Sequence, residues 1–324
     1  MGKKNWFILA ALIIFLAVLP QLLRDPYPQH ILIMILVWAA LGSAWNLLGG
    51  YAGQVSFGHA AFFGLGAYSA GLLFFHLKVS PWWGMLVGPF VAAAVAFPIG
   101  LVCFRLRGPY FALATLALGE IFRLVFTNWV HFTNGAKGIL ILNSFPTKLP
   151  YYYIAFLLWG LAMVVVHLMV NSRLGYYFVS IREDQDAAES LGIPTTMYKM
   201  YALLPSAFLT GLAGAFYMNY IAFIDPHVVF SLADISVMVI LVVMMGGVAT
   251  KWGPTAGAAI YIALNELFRA WLGSANVLAF GVLVCLVILF LPNGVIGEFF
   301  TFQRRNFLRR KAPAGGDGSE LFRG

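Results

Sequence analysis

The chain has 324 residues, 61% of them hydrophobic and only 10% charged, with a mean hydropathy of +0.87 and a formal net charge of +8. An ordinary soluble domain carries about 25% charged residues, so this composition excludes that class. Apolar runs of about 20 residues recur without period-2 alternation, which excludes a transmembrane barrel and predicts an all-α, polytopic helical bundle.

In chain order the predicted spans are 6–23, 29–48, 54–75, 84–104, 110–130, 151–170, 200–223, 234–249, 254–272 and 276–292, about ten in all. The first begins MGKKNWFILAALIIFLAVLPQLL; its apolar run is as long as a full span and no small-residue cleavage site follows, so it is expected to be a helix and not a signal peptide. With the N-terminus placed in the cytoplasm, the inside segments hold fourteen Lys and Arg residues and the outside segments four, Arg24, Lys78, Lys137 and Lys148. That asymmetry predicts both termini cytoplasmic. The domain expectation is a transmembrane domain over 1–299, with a cytoplasmic loop at about 171–199, followed by a basic, then disordered tail over 300–324. The basic residues are scattered over short loops with no nucleic-acid-binding motif, so no nucleic-acid partner is expected; the lipid bilayer is. Cys103 and Cys285 both lie in apolar stretches and read as small buried hydrophobes, with no metal site.

Several polar residues fall where lipid would penalise them. The stretch 47–73 holds seven glycines interleaved with Gln54, Ser56 and His59. Either the glycines let helices pack closely, or they break a helix so that these polar groups line a pathway. Further on, Glu120 and Arg123 share one helix face, as do Glu266 and Arg269, each pair at i, i+3. Charges at membrane depth cost roughly 2.5 to 3.5 kcal/mol each on insertion scales, so both pairs need a purpose. One reading is a polar lining of a route; the other is a self-neutralising bridge that fixes packing. The segments LALGEIFRL (116–124) and IALNELFRA (262–270) are alike and each follows a Gly-Pro pair, which suggests either an internal duplication or a chance likeness. No nucleophile, base and orienting group cluster together, so an enzyme is not expected. The 131–139 loop, HFTNGAKGI, is either a contact for an external partner or an ordinary turn.

The longest inside loop contains REDQDAAESLG (182–192), with five charges in eight residues. Ser180 followed by Glu183 is expected to cap a short helix that Gly192 and Pro194 end. Asp186-Ala187-Ala188, then Gly192, Ala202 and Leu204-Pro205 at spacings x3, x9 and x1, resembles the E-A-A-x3-G-x9-I-x-L-P loop of ATP-binding-cassette importer permeases, with Asp186 for Glu and Ala202 for Ile. GYAGQVSFGHAAFFGLGAYSAGLL, RGPYFALATLALGEIFR, SIREDQDAAESLGI and LVVMMGGVATKWGPTAGAAI are similar to the branched-chain amino acid permease family, in particular its M-type subunit, over about 30–297.

That resemblance implies a non-catalytic subunit of a bacterial inner-membrane importer. Its partners would be an H-type permease, two cytoplasmic ATPases that use ATP and Mg, and a periplasmic substrate-binding protein. No cofactor would be bound by this chain, which has no G-x-x-x-x-G-K-[ST] phosphate loop. Arg182, Glu183, Asp186, Ala187, Ala188, Glu189 and Gly192 would form the helix that docks on an ATPase. Urea, short amides or other amino acids remain alternative cargoes, and an ion-gradient transporter using Glu120 or Glu266 a rival class.

Overall fold

The computed structural model describes residues 25–141 and 145–272, together with 16, 18–23, 281–282 and 294–295. Most of the predicted first and tenth spans, Cys285 and the 300–324 tail lie outside the described residues.

Proline and glycine punctuate the helices. Helix α1 (Pro26–Trp45) starts on a proline, whose missing N–H is no loss in a first turn, and runs on as a π-helical turn, Asn46–Tyr51. An irregular segment then leads to α2 (His59–Leu77), so the predicted span over 54–75 begins later than expected and Gln54 and Ser56 precede it. A 3-10 turn (Pro81–Trp83) enters α3 (Gly84–Cys103), which tolerates Pro89 and Pro98; α4 (Pro109–Asn128) again starts on proline. Past a two-residue strand β1 (Ile139–Leu140) come α5 (Leu149–Asn171), the short α6 (Arg173–Glu183) and α7 (Gln185–Ser190), and the long α8 (Thr195–Ile221). Strand β2 (Phe223–Ile224) pairs antiparallel with β1, Ile139 opposite Ile224. A second π-helical turn, Leu232–Val237, feeds α9 (Met238–Gly246), and α10 (Gly253–Leu272) follows.

Among the described residues, seven helical runs are long and apolar enough to cross a membrane: Pro26–Tyr51, His59–Leu77, Pro81–Cys103, Pro109–Asn128, Leu149–Asn171, Thr195–Ile221 and Pro226–Gly246. Helix α10 has the length but is more polar, carrying Asn265, Glu266 and Arg269. The chain is a multi-pass membrane protein.

The core forms where α2 and α8 touch. A Cβ on Gly66 would collide with the Gly211 carbonyl, and one on Gly214 with that of Phe63, so the two backbones lie in direct contact. Such small-residue contacts let helices associate where lipid supplies no hydrophobic drive. Around the seam Phe63, Tyr68, Phe216 and Phe230 are fully buried. The close-packing reading of the glycine stretch holds within α2, and the backbone before it is irregular.

One end of the bundle gathers the basic loops. Lys251 Nζ donates to Asn171 Oδ1 (2.6 Å), and Asn46 at the π turn donates to Thr250 O (2.9 Å) and accepts from Ala249 N (2.9 Å). The opposite end holds the β1–β2 ribbon and the 131–139 loop, folded tightly on itself by Asn134 Nδ2 donating to Gly138 O (2.6 Å).

Candidate functional site: a clamped short helix and a charged cavity

The charged loop 182–192 folds as a helical hairpin at the basic end. Helix α6 is capped by Ser172, whose Oγ accepts from Leu174 N (3.2 Å), and runs straight through Ser180. The expected cap at Ser180 is therefore wrong: its Oγ donates to Tyr176 O (2.9 Å), and Glu183 pairs with Arg182 (2.6 Å). The apolar run around Phe178 and Ile181 continues the buried stripe, and the break comes one residue after Glu183. There Asp184 adopts an extended backbone (φ −156°, ψ 110°), and its Oδ1 caps α7 by accepting from Ala187 N (3.0 Å). Gly192 (φ +80°) closes α7, with Ile193 N donating to Ala188 O (3.1 Å) and Gly192 N to Glu189 O (2.9 Å), a Schellman cap.

The two faces of α7 differ. Ala188 is buried within this chain, while Asp186, Ala187 and Ser190 are exposed and Leu191 is 82% exposed. The charges are nearly all engaged. Arg107, in the turn between α3 and α4, binds both Asp186 and Glu189 (3.0 Å to the latter). Glu189 Oε1 accepts from Thr195 Oγ1 (2.6 Å) and Gln185 Nε2 (2.8 Å), and Gln185 Oε1 accepts from the buried Lys199 Nζ (2.5 Å). These hydrogen bonds from Thr195 and Gln185, with Arg107 beside them, hold the Glu189 carboxyl below the usual carboxylate range. Arg182 ties α6 to the break after α1: its side chain lies where a Cβ on Gly53 (φ +69°) would come within 2.7 Å of its Cγ, and its Nη1 donates to Gly50 O (3.5 Å). Arg107 and Lys199 were only loop and helix charges in the sequence; no spacing pointed to them.

The polar residues at membrane depth divide by role. His59 is buried and its Nε2 donates to Ser206 Oγ (2.9 Å), because that hydroxyl spends its own proton on Ala44 O (2.6 Å). Ser56 accepts from Gly58 N (3.2 Å) and borders only a crevice of about 10 Å³, and Gln54 Nε2 donates to Ala52 O (3.3 Å). All three brace the helix break. Glu120 and Arg123 form a bridge, one of the two readings of the pair (Nε to Oε2, 2.9 Å), and Arg123 Nη1 also donates to His227 Nδ1 (2.8 Å). Glu266 and Arg269 do not pair. Glu266 Oε2 instead accepts from Tyr27 OH (2.5 Å), and Arg269 makes no hydrogen bond or ion pair among the described residues.

Both line a cavity of about 420 Å³ between α1, α8, the second π turn, α9 and α10, together with Asp234 and the apolar Met34, Trp38, Ile235 and Ile262. The cavity lies toward the end away from the basic loops, at the start of α1 and the end of α10. Asp234 Oδ2 accepts from Ser231 Oγ (2.7 Å) at the head of the π turn.

Residues 27–291 match the family described as branched-chain amino acid transport system, permease component. The chain belongs to this family. As a permease component it is 28% identical to the LivM high-affinity branched-chain amino acid transport permease protein of Salmonella typhimurium, and 27% identical to that of Escherichia coli K12, each over 91% of this chain and 75% of the relative. A protein described as a probable LivM from Methanocaldococcus jannaschii is 21% identical over 66% of this chain and 68% of its own. Among solved structures, PsaBC from Streptococcus pneumoniae in complex with Fab is similar at 14% identity and a TM-score of 0.45, over 88% of this chain and 98% of that one.

Proposed function

We propose that this permease component is a membrane subunit of an ATP-driven importer of the bacterial inner membrane that moves branched-chain amino acids into the cytoplasm. It works beside a second, H-type permease subunit, two cytoplasmic ATPases and a periplasmic binding protein, with ATP and Mg used only on the ATPases. Helix α7, with Asp186, Ala187, Glu189 and the cap at Gly192, is the coupling helix, and Arg182 and Glu183 hold its hairpin.

The carrying observation is the clamp. A short helix that offers an exposed Leu191 is bound by Arg107 to the α3–α4 turn, by Gln185 to Lys199 of α8, and through Arg182 of the adjoining α6 to the break after α1. A push on α7 from an ATPase would thus reach four membrane helices through charged contacts. Alternation between outward- and inward-open states follows as rigid transmission.

Uptake in proteoliposomes tests the reading. Leucine uptake is expected to need ATP, both ATPases, the second permease and the binding protein. Uptake by this chain alone, driven by a pH gradient without ATP, overturns it. Glu120, bridged to Arg123, is poorly placed to carry a proton in such a gradient-driven rival. Urea or amide cargo would show as binding-protein calorimetry with those ligands and not with leucine.

A further inference from the structure

The asymmetry between two similar sequence pairs has chemical content. Glu120 and Arg123 neutralise one another; Glu266 and Arg269, at the same spacing, do not, and they face a cavity. Arg269, exposed at the end of α10, makes no hydrogen bond or ion pair among the described residues and presents a fork of donors shaped for a carboxylate. The same cavity holds Asp234 and Glu266, each with one carboxylate oxygen engaged and the other without a hydrogen bond or ion pair among the described residues. Between these charges the wall is Met34, Trp38 and Ile235. The volume, about 420 Å³, falls in the range of small-molecule sites.

We propose that this cavity is a recognition station for a small zwitterion with an apolar side chain: Arg269 takes the carboxylate, Asp234 and Glu266 take the ammonium, and Met34, Trp38 and Ile235 take the side chain. Two carboxylates against one guanidinium make the site hostile to a simple carboxylic acid. Urea and short amides carry no charge to match either end. The station deepens the permease reading and rests on it, since it places a cargo contact in the membrane subunit itself.

The test uses the intact complex of this chain with its permease and ATPase partners, in detergent and without the soluble binding protein. Radiolabelled leucine is the probe; isoamylamine, 4-methylpentanoate and urea are competitors. Leucine is expected to bind, and a tenfold excess of 4-methylpentanoate or urea is expected not to displace it. R269Q should weaken leucine binding several-fold, through loss of the guanidinium fork that takes the carboxylate, and leave isoamylamine competition unchanged. E266Q and D234N should weaken leucine and isoamylamine alike. If R269Q does not assemble, R269K, which keeps the charge but loses the fork, should still cost leucine several-fold and the amine nothing. No leucine binding by an intact complex that performs ATP-driven uptake overturns the station and leaves the permease reading standing, as does unchanged leucine affinity in R269Q and R269K. Absence of ATP-driven uptake in that complex overturns the permease reading itself.

Discussion

Charged side chains at membrane depth acquire their roles from partners far along the chain. Glu120 and Arg123 are joined by His227, 104 residues beyond Arg123, whereas Glu266 is taken by Tyr27, 239 residues away. Identical i, i+3 spacing therefore carried no information about which pair would bridge: the bridge reading describes Glu120 and Arg123, while Glu266 and Arg269 line a cavity instead. E120Q is expected to lose the bridge, lower stability by about 1 kcal/mol or less for a part-exposed pair, and leave leucine KM within about twofold, read by thermal unfolding and uptake. Gly192 makes a sharper probe. Its φ of +80° strains any other residue, but open space surrounds it, so alanine and leucine should cost the isolated chain alike, about 1 kcal/mol. Any further loss of ATP-driven uptake in G192L over G192A then measures a partner surface on α7. Equal uptake in the two variants would mean that no partner reaches this cap.

The α6–α7 hairpin shows what an element-scale reading gains and loses. The small-residue spacing in DAAESLG located the short helix, and Gly192 its end, because both are local backbone requirements. The start was misplaced because Ser180 is a competent cap only where the chain leaves a helix, and the buried Phe178 and Ile181 keep it helical. Nor was the clamp legible, since Arg107 and Lys199 reach α7 across tertiary space. R107A is expected to leave membrane insertion and ATPase association intact while lowering the uptake achieved per ATP several-fold, because the hydrogen-bonded contact between α7 and the α3–α4 turn is lost. Its pH behaviour follows from Glu189. That carboxyl is held below its ordinary value in the folded protein by Thr195, Gln185 and Arg107. Its contribution is thus complete above the unfolded carboxylate pKa, about 4.3, and is lost only as pH falls through the lower folded value. Uptake per ATP should stay flat from pH 8 to pH 5 on this account, and E189Q should show its defect across that whole range. A wild-type loss centred near pH 6.5 would assign control to another group.

At the scale of the molecule, the seven described helical runs long and apolar enough to cross a membrane match predicted spans in order, because a run of apolar residues is the one signal that lipid makes unambiguous. What hydropathy missed was irregular backbone: the two π turns, at Asn46–Tyr51 and Leu232–Val237, lie inside apolar sequence and are held by side chains such as Asn46 and Ser231. One turn meets the clamp through Arg182 and the other lines the charged cavity, so the two candidate sites sit at opposite ends of one bundle, joined by α1 and α8. This geometry makes a definite demand on orientation. If α7 meets cytoplasmic ATPases, the basic loops face inward and the 131–139 loop faces out, in accord with the excess of Lys and Arg on the inner side. Single cysteines at the exposed positions Ser190 and Lys137 test it, in a background where Cys103 and Cys285 are replaced by serine. In intact cells with a permeabilised outer membrane, a membrane-impermeant maleimide should label K137C and spare S190C, and in inside-out vesicles the pattern should reverse. Labelling of S190C from outside would put α7 in the periplasm, out of reach of any ATPase, and with it both the coupling role and an outward-facing cavity would fall.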